Sequence, residues 1–216
     1  MKLISYIVLL ICMLVLPCVA EDNRPSTRTS ADYLRDSLVD GEYVTHLYGN
    51  VFIDRDTLTV KSDTAYFWRD KEEYEFVSNV HMTRFDSSLD CDEALYEVAT
   101  GDAWFYGSVR TSDEDMIANA NRGELFGENN LLYLIGNARV VSPEYVVWAD
   151  TIKTIDGENR GEAFGNVKIV DPDASSVVTG DHALFSREEG FAEVDQSPYL
   201  VSREQGESEL IATANL

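Results

Sequence analysis

The phrase Gly49-Asn50-Val51 returns as Ser78-Asn79-Val80, Gly107-Ser108-Val109, Gly136-Asn137-Ala138 and Gly165-Asn166-Val167, each time after 29 residues. A weaker copy, Gln196-Ser197-Pro198, follows 31 residues later. Self-similarity at a fixed period of this length means one supersecondary unit stacked on copies of itself, each burying its apolar face on its neighbours. Function is therefore expected on a long shared surface rather than in a compact catalytic pocket.

Around each phrase the residues alternate with period two, the pattern of a half-buried strand. One face carries Leu47, Val51 and Ile53, then Phe76, Val80 and Met82, then Phe105 and Val109. It continues with Leu134, Ala138 and Val140, and with Ala163, Val167 and Ile169. The opposite face at one position reads Phe52, His81, Arg110, Arg139, Lys168. A slip of one residue would invert every side chain, so inside and outside are firmly assigned.

The second half of each unit is also extended. Its apolar columns are Val60, Leu89, Ala118, Val147, Val178 and, after a phase shift, Phe67, Tyr96, Leu125, Thr154, Phe185. Between them lies a column of Asp63, Asp92, Asn121, Asp150 and Asp181, where the alternation skips one residue as it does at a bulge or corner. Short Asp and Asn side chains suit such a corner because they bond nearby backbone amides. Recurrence in every copy favours this structural role over a catalytic or metal-binding one. Gly/Asp/Asn-rich turns close the units at 69–71, 100–102, 127–129, 156–158 and 189–190. The reading is one all-β domain over residues 41–216, with roughly eleven or twelve strands in about five and a half hairpin repeats. Residues 31–38 are the only candidate helix, inside a polar linker spanning 21–40.

The first 20 residues read as a secretory signal peptide: Lys2, an apolar run from Leu3 to Leu16, and Cys18-Val19-Ala20 before the cut. Retention of residues 4–20 as a membrane anchor is the alternative, at the short limit for a spanning helix. Removal of Lys2 takes the net charge from −22 to −23, which argues against nucleic acid and against simple docking on anionic headgroups. Yet 44% hydrophobic residues, with 11 Tyr and 9 Phe, are too many for a disordered acidic chain. Cys12 and Cys18 leave with the signal, so Cys91 is the one mature thiol; it falls in a column of small residues and reads as a buried filler.

Hairpins of this kind fold into a V-shaped antiparallel sheet or jelly-roll tube. Its interior would be lined by the apolar columns named above, a surface suited to alkyl chains at about 0.8 kcal/mol per buried methylene. The units Gly-Asn-Val-x-Ile and Ser62-Asp63-Thr64-Ala65-Tyr66, with Asp90-Cys91-Asp92-Glu93-Ala94-Leu95-Tyr96, Ala149-Asp150-Thr151-Ile152 and Gly180-Asp181-His182-Ala183-Leu184-Phe185, resemble the OstA/LptA-like family of Gram-negative periplasmic proteins. The resemblance covers residues 41–216. It implies a twisted β-jelly-roll whose interior carries the acyl chains of lipopolysaccharide or a related glycolipid. It also implies end-to-end stacking of jelly-roll domains, in head-to-tail copies of this chain or with partners at the inner and outer membranes. No catalytic residue, cofactor or resident metal is implied.

Asp54, Asp56, Asp113, Asp115, Asp171 and Asp173 at hairpin ends read either as solvated turns or as holders of cations that bridge to an anionic lipid. The incomplete sixth unit, through Leu216, is expected to leave an open strand edge for β-augmentation. Two other readings stay open: a membrane-anchored relative of the same transport system, and a structural β-solenoid or adhesin with a packed interior. An enzyme on a β-helix is disfavoured because His46, His81 and His182 share no column.

Overall fold

A computed structural model of the protein describes residues 27–55, 57–114, 116–155, 160–171, 173, 175–186, 191–202 and 210–213. All regular structure among them is strand. The elements are β1 (Thr27–Ser30), β2 (Tyr33–Val39), β3 (Glu42–Arg55), β4 (Leu58–Trp68), β5 (Glu73–Arg84), β6 (Ser87–Glu97), β7 (Ala103–Ser112) and β8 (Ile117–Phe126). They continue with β9 (Leu131–Val141), β10 (Val146–Ile155), β11 (Arg160–Val170), β12 (Ser176–Ser186), β13 (Phe191–Asp195), β14 (Tyr199–Ser202) and β15 (Leu210–Thr213).

Sequential antiparallel pairing builds one 15-stranded sheet in the order β1-β3-β4 through β12, then β14 and β15. Strand β2 pairs with the other half of β3, and β13 with the other half of β12. The first strand of the sheet is thus β1 and β2 in series, broken at Ala31-Asp32, and β13 and β14 form a second broken strand. These breaks raise the count above the expected eleven or twelve. Strands also occupy residues 27–39, inside the stretch expected to be linker and candidate helix. A seven-residue segment is too short to hold a helix alone, whereas pairing with β3 satisfies its backbone groups. The export segment 1–20 and the turns expected at 156–158 and 189–190 lie outside the described residues.

Each long strand bends once near its middle. In β3, Gly49 (φ 72°) and Asn50 (φ 48°) lie between Tyr48, opposite Thr64, and Val51, opposite Ser62. Two residues therefore face the single Asp63, which is a bulge. Consecutive left-handed residues recur at Ser78-Asn79, Gly107-Ser108, Gly136-Asn137, Gly165-Asn166 and Gln196-Ser197. The extra residue thus sits in the Gly-Asn strand and not, as the sequence suggested, in the strand of the Asp column. The corner acids also take a different partner from the backbone amides expected. Asn79 Nδ2 donates to Asp63 Oδ2 at 2.7 Å and Asn166 Nδ2 to Asp150 Oδ2 at 2.8 Å. Asn50 Nδ2 makes the same bond to Asp32 at 2.7 Å, so Asp32 is an unforeseen member of the corner column.

The bend divides every strand between two walls. The first wall holds the hairpin ends near 55–58, 84–87 and 112–117; the second holds those near 68–73, 97–103 and 126–131. Interior columns of both walls form one continuous core, with Leu47, Val80, Val109, Leu134, Val147 and Ala163 at 1% exposure or less. On the first wall's outer surface the early strands are polar as expected: Thr59 bonds Thr83 across strands, and Ser88 bonds Ser112 at 2.9 Å.

The corner glycines answer a steric demand. A Cβ on Gly107 would lie 2.1 Å from Asp92 Oδ2 at a φ of +69°. Replacing Gly107 by Ala should lower the unfolding free energy by about 2 kcal/mol or more, from left-handed strain plus that contact. Adding Asp92→Ala should restore the contact portion and leave the backbone portion, as read from urea unfolding. Equal losses in the single and double variants would show that the carboxylate does not select glycine here.

Candidate functional site: an apolar trough between the two walls

The crease of the trough is built from Val51, Val80, Val109, Ala138 and Val167, each paired across the sheet with a small residue: Ser62, Cys91, Ala120, Ala149 and Gly180. Small residues are required because the walls converge there; a Cβ on Gly180 would lie 2.5 Å from Val194 Cγ1. Of the expected lining residues, Leu47, Val51, Ile53, Val60, Phe76, Val80, Met82, Phe105, Val109, Leu134, Val140, Val147, Val167, Ile169 and Phe185 are buried. Phe67, Leu89, Tyr96, Leu125 and Val178 are half-buried.

These side chains do not line one uniform channel. Toward β3–β5 the interior is filled by an aromatic stack, with Phe67 and Tyr74 centroids 4.4 Å apart and Tyr74 and Phe76 centroids 5.7 Å apart. The Tyr74 hydroxyl bonds the Thr29 side chain, and burial raises its pKa. Toward the middle a cavity of about 400 Å³ opens between the walls. Met82, Leu89, Ala118 and Val140 line it from the first wall, and Phe105, Leu125, Leu134 and Phe185 from the second. Its outer rim adds Leu58, Met116, Leu132 and Tyr145, none of which was foreseen. A signal for them existed: each stands two residues before a foreseen interior position (Val60, Ala118, Leu134, Val147), so the alternation simply runs on toward the turns.

At the mouth the walls meet with an offset of about three strands. Arg84, at the β5–β6 hairpin, donates from Nη1 to Asn130 Oδ1, in the β8–β9 turn, at 3.4 Å. Tyr145 sets its ring edge to Phe185 at 5.8 Å between centroids. Phe85, beside Arg84, is 74% exposed. Charged groups are confined to this rim, where Arg84, Asp86, Asp113 and Arg160 border the cavity.

Beyond the cavity, Asp36, Thr45 and Arg69 bond one another on the interior face near the N-terminal edge, whereas two histidine–aspartate pairs face outward. His81 Nδ1 and Asp90 Oδ1 are 2.7 Å apart, and His182 Nδ1 and Asp195 Oδ1 2.8 Å. Both are cross-strand pairs of exposed or half-buried groups. At the hairpin ends Asp113 Oδ1 accepts from the Met116 amide at 2.8 Å and Asp173 Oδ1 from the Ser175 amide at 3.0 Å. The bonds from Ser175 hold the Asp173 carboxyl below its ordinary pKa. Asp56 and Asp115 lie outside the described residues. Among the described residues, no group of three or more His, Cys, Asp or Glu could hold a metal.

What the trough offers is an apolar surface for burial. Residues 36–160, more than half of the 216-residue chain, match the family described as LptA/(LptD N-terminal domain) LPS transport protein. The chain belongs to that family. No curated protein sequence matches it. Among solved structures, the crystal structure of LptH, the LptA homologous periplasmic component of the lipopolysaccharide transport device of Pseudomonas aeruginosa, aligns with a TM-score of 0.48 and 14% identity. That alignment covers 60% of this chain and 94% of LptH.

Among the described residues Cys91 is the one cysteine, and its surroundings are those of a packed side chain. Cys91 is 6% exposed, and its Sγ donates to the Glu93 carbonyl at 3.2 Å. Burial first, and the neighbouring Asp92 second, push the thiol up to about 12. Cys91 should resist a thiol-specific disulfide reagent at pH 8 in the folded protein and react at once in urea. The sign of the pH effect follows. Above the ordinary thiol pKa the unfolded chain releases this proton and the native one keeps it, so stability falls as pH rises from about 9 toward 12. The fall should be smaller in Cys91→Ala, as read from urea midpoints on the same pH series.

Proposed function

We propose that this protein is exported to the periplasm and carries lipopolysaccharide between the inner and outer membranes, its acyl chains held in the trough. The observation that carries this reading is the apolar cavity between the walls, with charge only at its rim. A chain of about twelve carbons buried there gains roughly 10 kcal/mol before ordering losses. Arg84 and Arg160 at the rim supply cations to an anionic sugar headgroup that the acidic surface elsewhere would repel.

Open sheet ends support a bridge of stacked domains. At the N-terminal end Leu34 pairs with Leu47, and Leu38 with Tyr43, so Leu34, Leu38 and Tyr43 lie on the interior face. They are 56%, 61% and 58% exposed, apolar ends of the trough that another sheet would cover. At the other end β13 and β15 each pair with one strand among the described residues, an arrangement that offers backbone edges for β-augmentation. Partners of this kind are further copies of the chain or related jelly-roll domains of the transport system.

Native mass spectrometry of protein purified without detergent from its own envelope tests the proposal. It should show an acylated glycolipid adduct on the wild type. Leu132→Trp, which fills the cavity, and Leu89→Arg, which places a cation in it, should each lose the adduct while keeping a cooperative unfolding transition. Retention of lipid in both folded variants would overturn the interior site.

A further inference from the structure

The outer surface of the first wall changes character part-way along the sheet. The register row that is Thr59, Thr83, Ser88 and Ser112 in the early strands becomes Ile117, Val141, Val146, Val170, Val177 and Val201, and ends at Ile211 on edge strand β15. These side chains point away from the core, because Ala118, Val140, Val147 and Ile169, one step along each strand, are buried inside. Seven β-branched residues in a row on an outward face are not needed by the trough. The neighbouring outer row carries Arg110, Arg139 and Lys168 on alternate strands, with Trp148 between the last two at 5.4 and 5.3 Å. From β7 onward neither row contains a carboxylate, in a chain where 39 of 216 residues are Asp or Glu.

We propose that this strip docks one amphipathic helix of a partner protein, a helix whose apolar face is flanked by acidic residues. The proposal is independent of the lipid-carrying reading. Three features of the strip select that occupant. Its charge is the first: along the seven aliphatic strands the neighbouring row holds Arg139 and Lys168 and no acid, with Arg110 one strand earlier opposite Asp90, and this calls for an anionic flank. Acids border the strip on both sides, with Asp92, Asp150 and Asp181 exposed at the bend and Asp113, Glu114 and Asp173 exposed at the hairpins. The strip between them is two rows wide. That matches a helix of about 10 Å diameter, whereas a membrane or the broad face of a second acidic copy would press on both borders.

Pitch is the third. Strands repeat at about 4.8 Å, and helix positions i, i+3, i+7, i+10 advance by about 5.0 Å on average, so each apolar residue meets one strand. Acids at i and i+7, about 10.5 Å apart, meet cations about 9.6 Å apart on alternate strands. An extended peptide, with same-side residues about 6.7 Å apart, falls out of step. Seven strands span about 29 Å, which is about 19 residues of helix.

The test uses the exported chain and two synthetic helical peptides of that length with identical leucines at the apolar positions. One carries Glu on the flank and the other Lys. Fluorescence anisotropy should show saturable, salt-weakened binding of the Glu peptide and at least about tenfold weaker binding of the Lys peptide. Lys168→Glu, and separately Val146→Glu with Val170→Glu, should each weaken the Glu peptide by about tenfold or more while leaving the β-sheet circular dichroism unchanged. Absence of saturable binding, equal affinity for the two peptides, or indifference to both variants would overturn the proposal. So would a finding that the same variants abolish self-association in sedimentation, or binding to phosphatidylglycerol vesicles. Those outcomes would give the strip to a second copy or to a lipid surface.

Discussion

The fold rests on one local conflict and its resolution. A strand that must bend places two left-handed residues in series, which costs a non-glycine residue about 1–2 kcal/mol. Glycine removes that cost at the first position in four of the copies, and a corner carboxylate or amide packs against it. Asparagine at the second position tolerates the left-handed region and, at Asn50, Asn79 and Asn166, donates its side-chain amide to that carboxylate. Strand geometry, side-chain size and hydrogen bonding thus agree at a single point. Because every long strand bends there, the walls face each other along the whole sheet and a trough exists. Without the bend the apolar columns would form one flat face exposed to water.

This dependence explains what the sequence disclosed and what it concealed. The bend has a fixed composition, so the repeat and its all-strand alternation were readable from spacing, whereas the strand that carries the extra residue and the asparagine partners of the corner acids were not. Nor were the edge strands. Asp32 holds its corner position with no Gly-Asn phrase upstream of it, and β1 and β2 are short strands of four and seven residues that, among the described residues, pair with β3 alone. Their pairing is decided by the open edge of β3, a tertiary cause that local composition does not record. Location of the cavity was hidden for a similar reason. Which columns pack shut and which stay apart depends on side chains from strands two or three apart meeting across the trough. Phe67, Tyr74 and Phe76 fill one end, with the Tyr74 hydroxyl bonded to Thr29 of β1. Arg84 reaches Asn130 from a hairpin that is remote in register.

The same logic separates the two uses of apolar surface in the molecule. Inside, every repeat must contribute apolar side chains, since a polar residue between the walls is accommodated only where it finds a partner, as Ser62 does at the Thr64 carbonyl. Outside, nothing in the stacking requires valine, and the early strands carry Thr and Ser in the row that later turns aliphatic. The repeat therefore explains the interior columns and leaves the outer row unexplained, which is why that row speaks of a partner rather than of the fold.

Magnitudes decide whether the trough can admit a guest without unfolding. In this stack the backbone of each strand runs close only to its neighbours in the sheet, so the backbone ladder does not cross the mouth. Besides the Thr29–Tyr74 bond at the filled end, two described side-chain contacts cross it beside the cavity. The exposed Arg84–Asn130 bond contributes at most about 1.5 kcal/mol, and the Tyr145–Phe185 ring pair about 0.5–1.5 kcal/mol beyond its buried area. Their combined loss is offset by burying about four methylene groups at about 0.8 kcal/mol each. The ladder and the crease, which together hold the core, stay intact as the walls part. For the cargo proposed above, the hydrophobic term of the guest would therefore be weighed against these side-chain contacts and not against the backbone ladder of the sheet.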